Sequence, residues 1–106
     1  KMNEKIFELS FEIIAFAGNA KGIAFEAISK AKSGQIEEAR KLLKESKEEV
    51  NKAHRCQTSL IQQEASGEKV ETSVVLIHAQ DHLMTTMNYQ MLAEEFIDLY
   101  ERLENK

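Results

Sequence analysis

The sequence predicts an all-α protein, an antiparallel three-helix bundle, on three observations. Across 106 residues there is no proline or tryptophan and there are only 4 glycines, so little interrupts long helices. Apolar residues in the first two segments recur at alternating steps of three and four, the period of a helix face and not of a strand. The two polar breaks, Lys32-Ser33-Gly34 and Ser66 to Glu71, are short, which sends each helix back along the one before it. The chain reads as one domain, residues 1–106, near the small end of those with a self-sufficient core, a limit that oligomerisation relieves. Lys1 ahead of Met2 reads as an expression leftover and is set aside.

The first helix, expected over Asn3 to Ala31, carries a seam of Ile6, Leu9, Ile13, Phe16, Ala20, Ile23 and Ala27. Ala15, Gly18 and Gly22 form a second face of small residues, which predicts close packing of a partner helix more readily than a ligand site. Gly34 suits a left-handed C-terminal cap. The second helix, Gln35 to Ala65, has the longest seam: Ile36, Ala39, Leu43, Ser46, Val50, Ala53, Gln57, Leu60 and Glu64. At the helical rise it is a rod about 46 Å long. The mixed charges from Glu37 to Glu49 read as a solvated face, and toward its end the polar residues His54, Gln57, Thr58, Gln62 and Gln63 intrude. The loop from Ser66 to Glu71 is expected to be exposed and mobile. Thr72 or Ser73 can cap the third helix, which runs to about Glu104.

The third helix is apolar on most sides. Val74, Ile77, Met84 and Met91 form one stripe, interrupted by Asp81 and Asn88. Val75, Leu92, Phe96, Leu99 and Leu103 form another, together with His78, His82 and Tyr89, and Leu76, Leu83 and Met87 a third. Two partner helices cover only part of such a surface, which predicts a homo-oligomer in which copies of this helix meet near the His-rich turn.

Charge and composition exclude several classes. A net charge of -4, with 14 basic residues interleaved among acidic ones, leaves no footprint for nucleic acid. No stretch qualifies as a membrane span; even Thr72 to Ala93 holds two His, two Gln, an Asp and an Asn. The single cysteine, Cys56, cannot form an intrachain bridge, and no basic segment followed by an apolar run marks secretion, so a reducing cytoplasm is expected.

Leu76 to Met84 places His78, Asp81 and His82 on one surface: His82 lies about 40° round the helix from His78, and Asp81 about 60° to the other side. With the histidines neutral, Asp81 is the only charged group from Thr72 to Ala93, and a lone carboxylate on such a helix calls for a partner. Three readings fit the spacing. The histidines can be core or interface side chains of a helical adaptor, bonded to Asp81. They can chelate zinc from one helix face, with His54 or Asp81 as third ligand, although no Glu follows the first His as a metalloprotease requires. Or one histidine is a nucleophile that carries a phosphoryl or acyl group, with the other beside it.

The string from Leu76 to Thr86, Leu-Ile-His-Ala-Gln-Asp-His-Leu-Met-Thr-Thr, preceded by Ala53 to Glu68, resembles the lactose/cellobiose-type enzyme IIA component of the bacterial sugar phosphotransferase system. The resemblance spans essentially the whole chain, including Gly18-Asn19-Ala20, and departs from the family in loops such as Ser33-Gly34-Gln35. It implies a three-helix subunit that assembles as a trimer, a nine-helix bundle. It implies that His78 accepts a phosphoryl group from the histidine phosphocarrier protein and passes it to a cysteine of the sugar-specific IIB component. Gln80 and His82 match positions beside the active histidine, and Asp81 matches the carboxylate that binds a metal on the trimer axis. Three such carboxylates suit a hard cation such as Mg²⁺ with a structural role. Cys56 is given no part in the transfer.

Overall fold

The computed structural model describes residues 4–106, and among them there are three α-helices and no strand. The helices are α1 (Glu4–Lys32), α2 (Ile36–Ala65) and α3 (Val74–Glu104), within about two residues of the expected limits. Asn3, the expected first residue of α1, lies outside the described residues. The molecule is a rod, 59 × 19 × 17 Å. Cross-helix partners give the directions. Glu12 meets Cys56 and Asn19 meets Glu49, so α2 returns along α1, and Arg40 meets Glu101 while Lys47 meets Glu94, so α3 returns along α2.

Local chemistry ends the helices where the sequence allows. Gly34, at φ +89°, and Gly67, at φ +97°, take the left-handed conformation that a side chain disfavours. Each closes a Schellman motif: Gln35 N–H donates to Lys30 O and Gly34 N–H to Ala31 O, and Glu68 N–H donates to Gln63 O and Gly67 N–H to Glu64 O. Gly67 therefore does for α2 what Gly34 was expected to do for α1. Ser73 caps α3, its hydroxyl accepting from Leu76 N–H at 3.1 Å. The loop between α2 and α3 is not wholly exposed as expected, because Val70 folds back onto the core.

Within α2, Ala39, Leu43, Ser46, Val50, Ala53 and Leu60 are buried as the seam predicts, and Glu64 at its end is exposed. In α1 the seam drifts by one residue. Ala17 and Ala24 are fully buried, while Phe16 and Ile23 are only half-buried. The small-residue face departs further from expectation. Of that face only Gly18 comes close to another helix of the subunit, at His82 of α3; Ala15 is exposed, and a side chain at Gly22 would meet no atom within 4 Å.

The core has two apolar parts. One gathers Ile6, Leu9, Ile13, Val50, Leu60 and Leu83, the other Ala27, Ala31, Leu43, Ala93 and Ile97. A polar layer lies between them. Ser46 Oγ donates to Ala20 O at 2.6 Å and accepts from Gln90 Nε2 at 2.6 Å, so one hydroxyl joins all three helices. Beside it Thr86 Oγ1 donates to Ala17 O at 3.4 Å. No buried side-chain polar atom among the described residues lacks a partner, as the low-dielectric interior requires.

α1 packs broadly on both other helices, and α2 and α3 touch each other far less. Only one face of α3 is therefore buried: Ala79, Leu83, Thr86, Gln90, Ala93 and Ile97. The rest remains apolar and uncovered, with Val74 82% and Met91 65% exposed, and Ile77, Leu92, Phe96 and Leu103 exposed beside them. A run of this kind marks an interaction surface.

Candidate functional site

His78 and His82 project from the outer side of α3, where neighbouring turns bring their rings together. The ring centroids are 5.8 Å apart and the planes are within 6° of parallel. His78 is exposed and His82 half-buried. Partial burial, then the charges of Lys21 and of His78, hold the His82 pKa below its ordinary value near 6.5, with Asp81 pulling the other way. The surroundings thus disfavour the protonated form of His82.

The first turn of the small-residue face comes close to this pair. A methyl group added at Gly18 would lie 3.4 Å from His82 Nε2. Gly18, Lys21, Gly22 and Phe25 from α1, with His82 and Tyr89 from α3, surround an open depression of about 440 Å³. Lys21 Nζ lies 6.0 Å from the centre of the Tyr89 ring. Neither Lys21 nor Tyr89 stood out in the sequence as a member of a site; Gly18 and Gly22 flanking Lys21 were the available signal, but it needed the position of α3 to be read.

Asp81 is exposed, on the uncovered line that includes Val74, Ile77, Met84 and Met91, so the partner it calls for does not come from its own subunit's core. Gln80 adjoins the histidines in sequence but faces the other way: it is half-buried against α2 and accepts a hydrogen bond from Gln57 Nε2. Its contact fixes α3 against α2 on the flank opposite the rings. His54 is exposed on α2, where its carbonyl accepts from the Thr58 hydroxyl at 3.0 Å. Within one subunit the zinc reading lacks its third ligand: among the described residues no three His, Cys, Asp or Glu side chains are placed to hold one ion. Cys56 is half-buried with its thiol 3.6 Å from Glu12, and burial together with that carboxylate raises its pKa, which suppresses the nucleophilic thiolate. No helix among the described residues is long and apolar enough to cross a membrane.

Together the bundle and the ring pair define a helical protein that offers imidazole nitrogens on a surface other proteins can reach. Residues 8–101 match the family model described as PTS system, Lactose/Cellobiose specific IIA subunit. The chain is 51% identical to the lichenan-specific phosphotransferase enzyme IIA component of Bacillus subtilis over 102 residues, covering 96% of this chain and 93% of the relative. Its fold is similar to the crystal structure of the PTS cellobiose-specific enzyme IIA of Bacillus anthracis, with a TM-score of 0.91 and 52% identity over 93% of this chain and 91% of that one. It is also similar, with a TM-score of 0.81 and 36% identity over 93% and 96% of the two chains, to a chain of the IIA(Chitobiose)-HPr complex of the Escherichia coli phosphotransferase system. The protein belongs to the lactose/cellobiose-specific IIA family of the phosphotransferase system.

Proposed function

We propose that this chain is a phosphocarrier that takes up a phosphoryl group on the imidazole of His78 and hands it on during sugar uptake. The observation that carries the reading is an exposed His78 ring stacked on a second, half-buried imidazole. The donor is the histidine phosphocarrier protein, in keeping with the IIA–HPr complex formed by the chitobiose relative, and the acceptor is a cysteine of the cognate IIB component. Relatives named for lichenan, lactose, cellobiose and chitobiose support a lactose/cellobiose/chitobiose-type sugar.

Phosphoryl transfer asks little covalent chemistry of the protein beyond an in-line nucleophile and stabilised charge. A ring nitrogen of His78 attacks phosphorus through its lone pair as the bond from phosphorus to the donor's imidazole nitrogen breaks. The leaving nitrogen keeps that electron pair and takes up a proton, while the other ring nitrogen of His78 gives one up to solvent. His82, on the adjoining turn, holds the His78 ring in orientation and can donate its N–H to a phosphoryl oxygen. Cytoplasmic residence follows from partners of this kind.

The working form is a homotrimer assembled through the uncovered face of α3, nine helices in all. In it Asp81 from each subunit points to the shared axis, where three carboxylates suit Mg²⁺ or a similar hard cation. The exposure of Asp81 amid apolar side chains fits that placement. Such an ion would neutralise the three carboxylates and take no part in the transfer.

Incubation with phosphoenolpyruvate and the general phosphotransferase proteins tests the reading. One acid-labile phosphoryl group per chain is expected, absent in His78→Ala. Unchanged stoichiometry in that variant would overturn the assignment, and no added phosphate on the unaltered chain would favour a non-catalytic helical adaptor.

A further inference from the structure

We infer that Lys21, from α1, is the counter-ion that swings onto the phosphoryl group while it resides on His78. The inference rests on the proposed role of His78 and adds to it a residue from another helix. Lys21 is half-buried, and among the described residues it forms no ion pair, whereas Arg40, Lys47 and Lys52 each meet a carboxylate. Its ammonium rests instead toward the face of Tyr89, at the edge of a cation–π distance. That contact is weak and leaves most of the charge uncompensated.

The surroundings let the ammonium move. Gly18 and Gly22 carry no side chain to fill the depression between Lys21 and His82, and the lysine stem is flexible. Lys21 and His82 line the same depression, and the His78 ring is stacked on His82. A dianionic phosphoryl group projecting from the edge of the His78 ring would draw the ammonium off Tyr89 toward its oxygens. The unphosphorylated ring has no comparable attraction for it. The contact therefore forms with the phosphoryl group and lowers the barrier to its arrival. It makes and breaks no covalent bond.

The test uses the full chain in its native assembly with the phosphorylated donor protein, comparing Lys21→Met, Lys21→Arg and His78→Ala. Methionine keeps the stem and removes the charge, and Lys21→Gln serves as a second neutral variant. Acceptance by Lys21→Met is expected to slow roughly ten-fold in kcat, the size of a partly solvated charge contact, with KM for the donor unchanged. Arginine should restore most of the rate, and the difference between Lys and Met should shrink as salt is raised. Equal kcat in the two neutral variants and the unaltered chain would overturn the inference. So would a loss confined to KM, which would make Lys21 a docking residue for the donor. Persistent labelling of His78→Ala would instead defeat the reading of the site itself, whatever the Lys21 variants do.

Discussion

Replacing Ser46 with alanine deletes one oxygen from the polar layer and exposes how the bundle is held. Ser46 is fully buried and Gln90 is 5% exposed, so water cannot take over their bonds. The substitution removes two contacts of 2.6 Å and leaves the Gln90 amide and the Ala20 carbonyl without that partner. Two lost hydrogen bonds plus a stranded buried amide amount to about 2–3 kcal/mol. For a domain of this size that lowers Tm by roughly 10 °C or more. Gln90→Leu should cost less, about 1 kcal/mol or below, because Ser46 still donates to Ala20 and the new side chain is apolar. The double variant removes the stranded amide but also the Ser46–Ala20 bond, so its loss should be about 2 kcal/mol, below the sum of the two single losses by a coupling of about 1–2 kcal/mol. Thermal unfolding at one fixed chain concentration measures the cycle, since assembly makes Tm concentration-dependent. Strictly additive losses would show that the Ser46–Gln90 bond carries no such energy.

In the proposed trimer, Asp81→Leu is expected to preserve or strengthen the assembly, because apolar packing would replace mutually repelling carboxylates; sedimentation at micromolar concentration showing monomers would count against an axial Asp81. Stability should fall in two separate acid windows. His82 has a folded pKa below 6.5, so the unfolded chain binds its proton first, and its contribution, present above 6.5, is lost as the pH falls from there through the folded value. Glu49, whose pKa is lowered by hydrogen bonds from Lys52 and Asn19, contributes above its ordinary value near 4.5 and loses that contribution below it. Melting curves against pH should therefore lose the upper step, and only that step, in His82→Gln.

The sequence announces α2 almost residue by residue because its seam alternates bulky apolar side chains with a strongly charged outer face. The α1 seam that the sequence suggests runs one residue off at Phe16 and Ile23, since large apolar residues outweigh alanine in any hydrophobic pattern. A straight helix drifts about 20° per heptad from a strict seven-residue repeat, and the line of Ala17, Ala20, Ala24, Ala27 and Ala31 fits the contact equally well. Excess apolar surface on α3 was legible, and the structure leaves it uncovered. The ring pair was legible too, because it depends on spacing within one helix. The neighbourhood of Lys21, Gly18 and Tyr89 depends on how two helices sixty residues apart in sequence align, which no local pattern records.

The alanine line of α1 has a drawback that the Ser46 hydroxyl corrects. Smooth, small side chains would let α3 slip by one turn along α1 with little loss of packing, and such a slip would carry the His78 ring about 5.4 Å along the groove. A hydroxyl that must meet one carbonyl and one amide at the same moment tolerates no such slip. The height of the His78 ring along the bundle is thus set by an oxygen buried on a different helix.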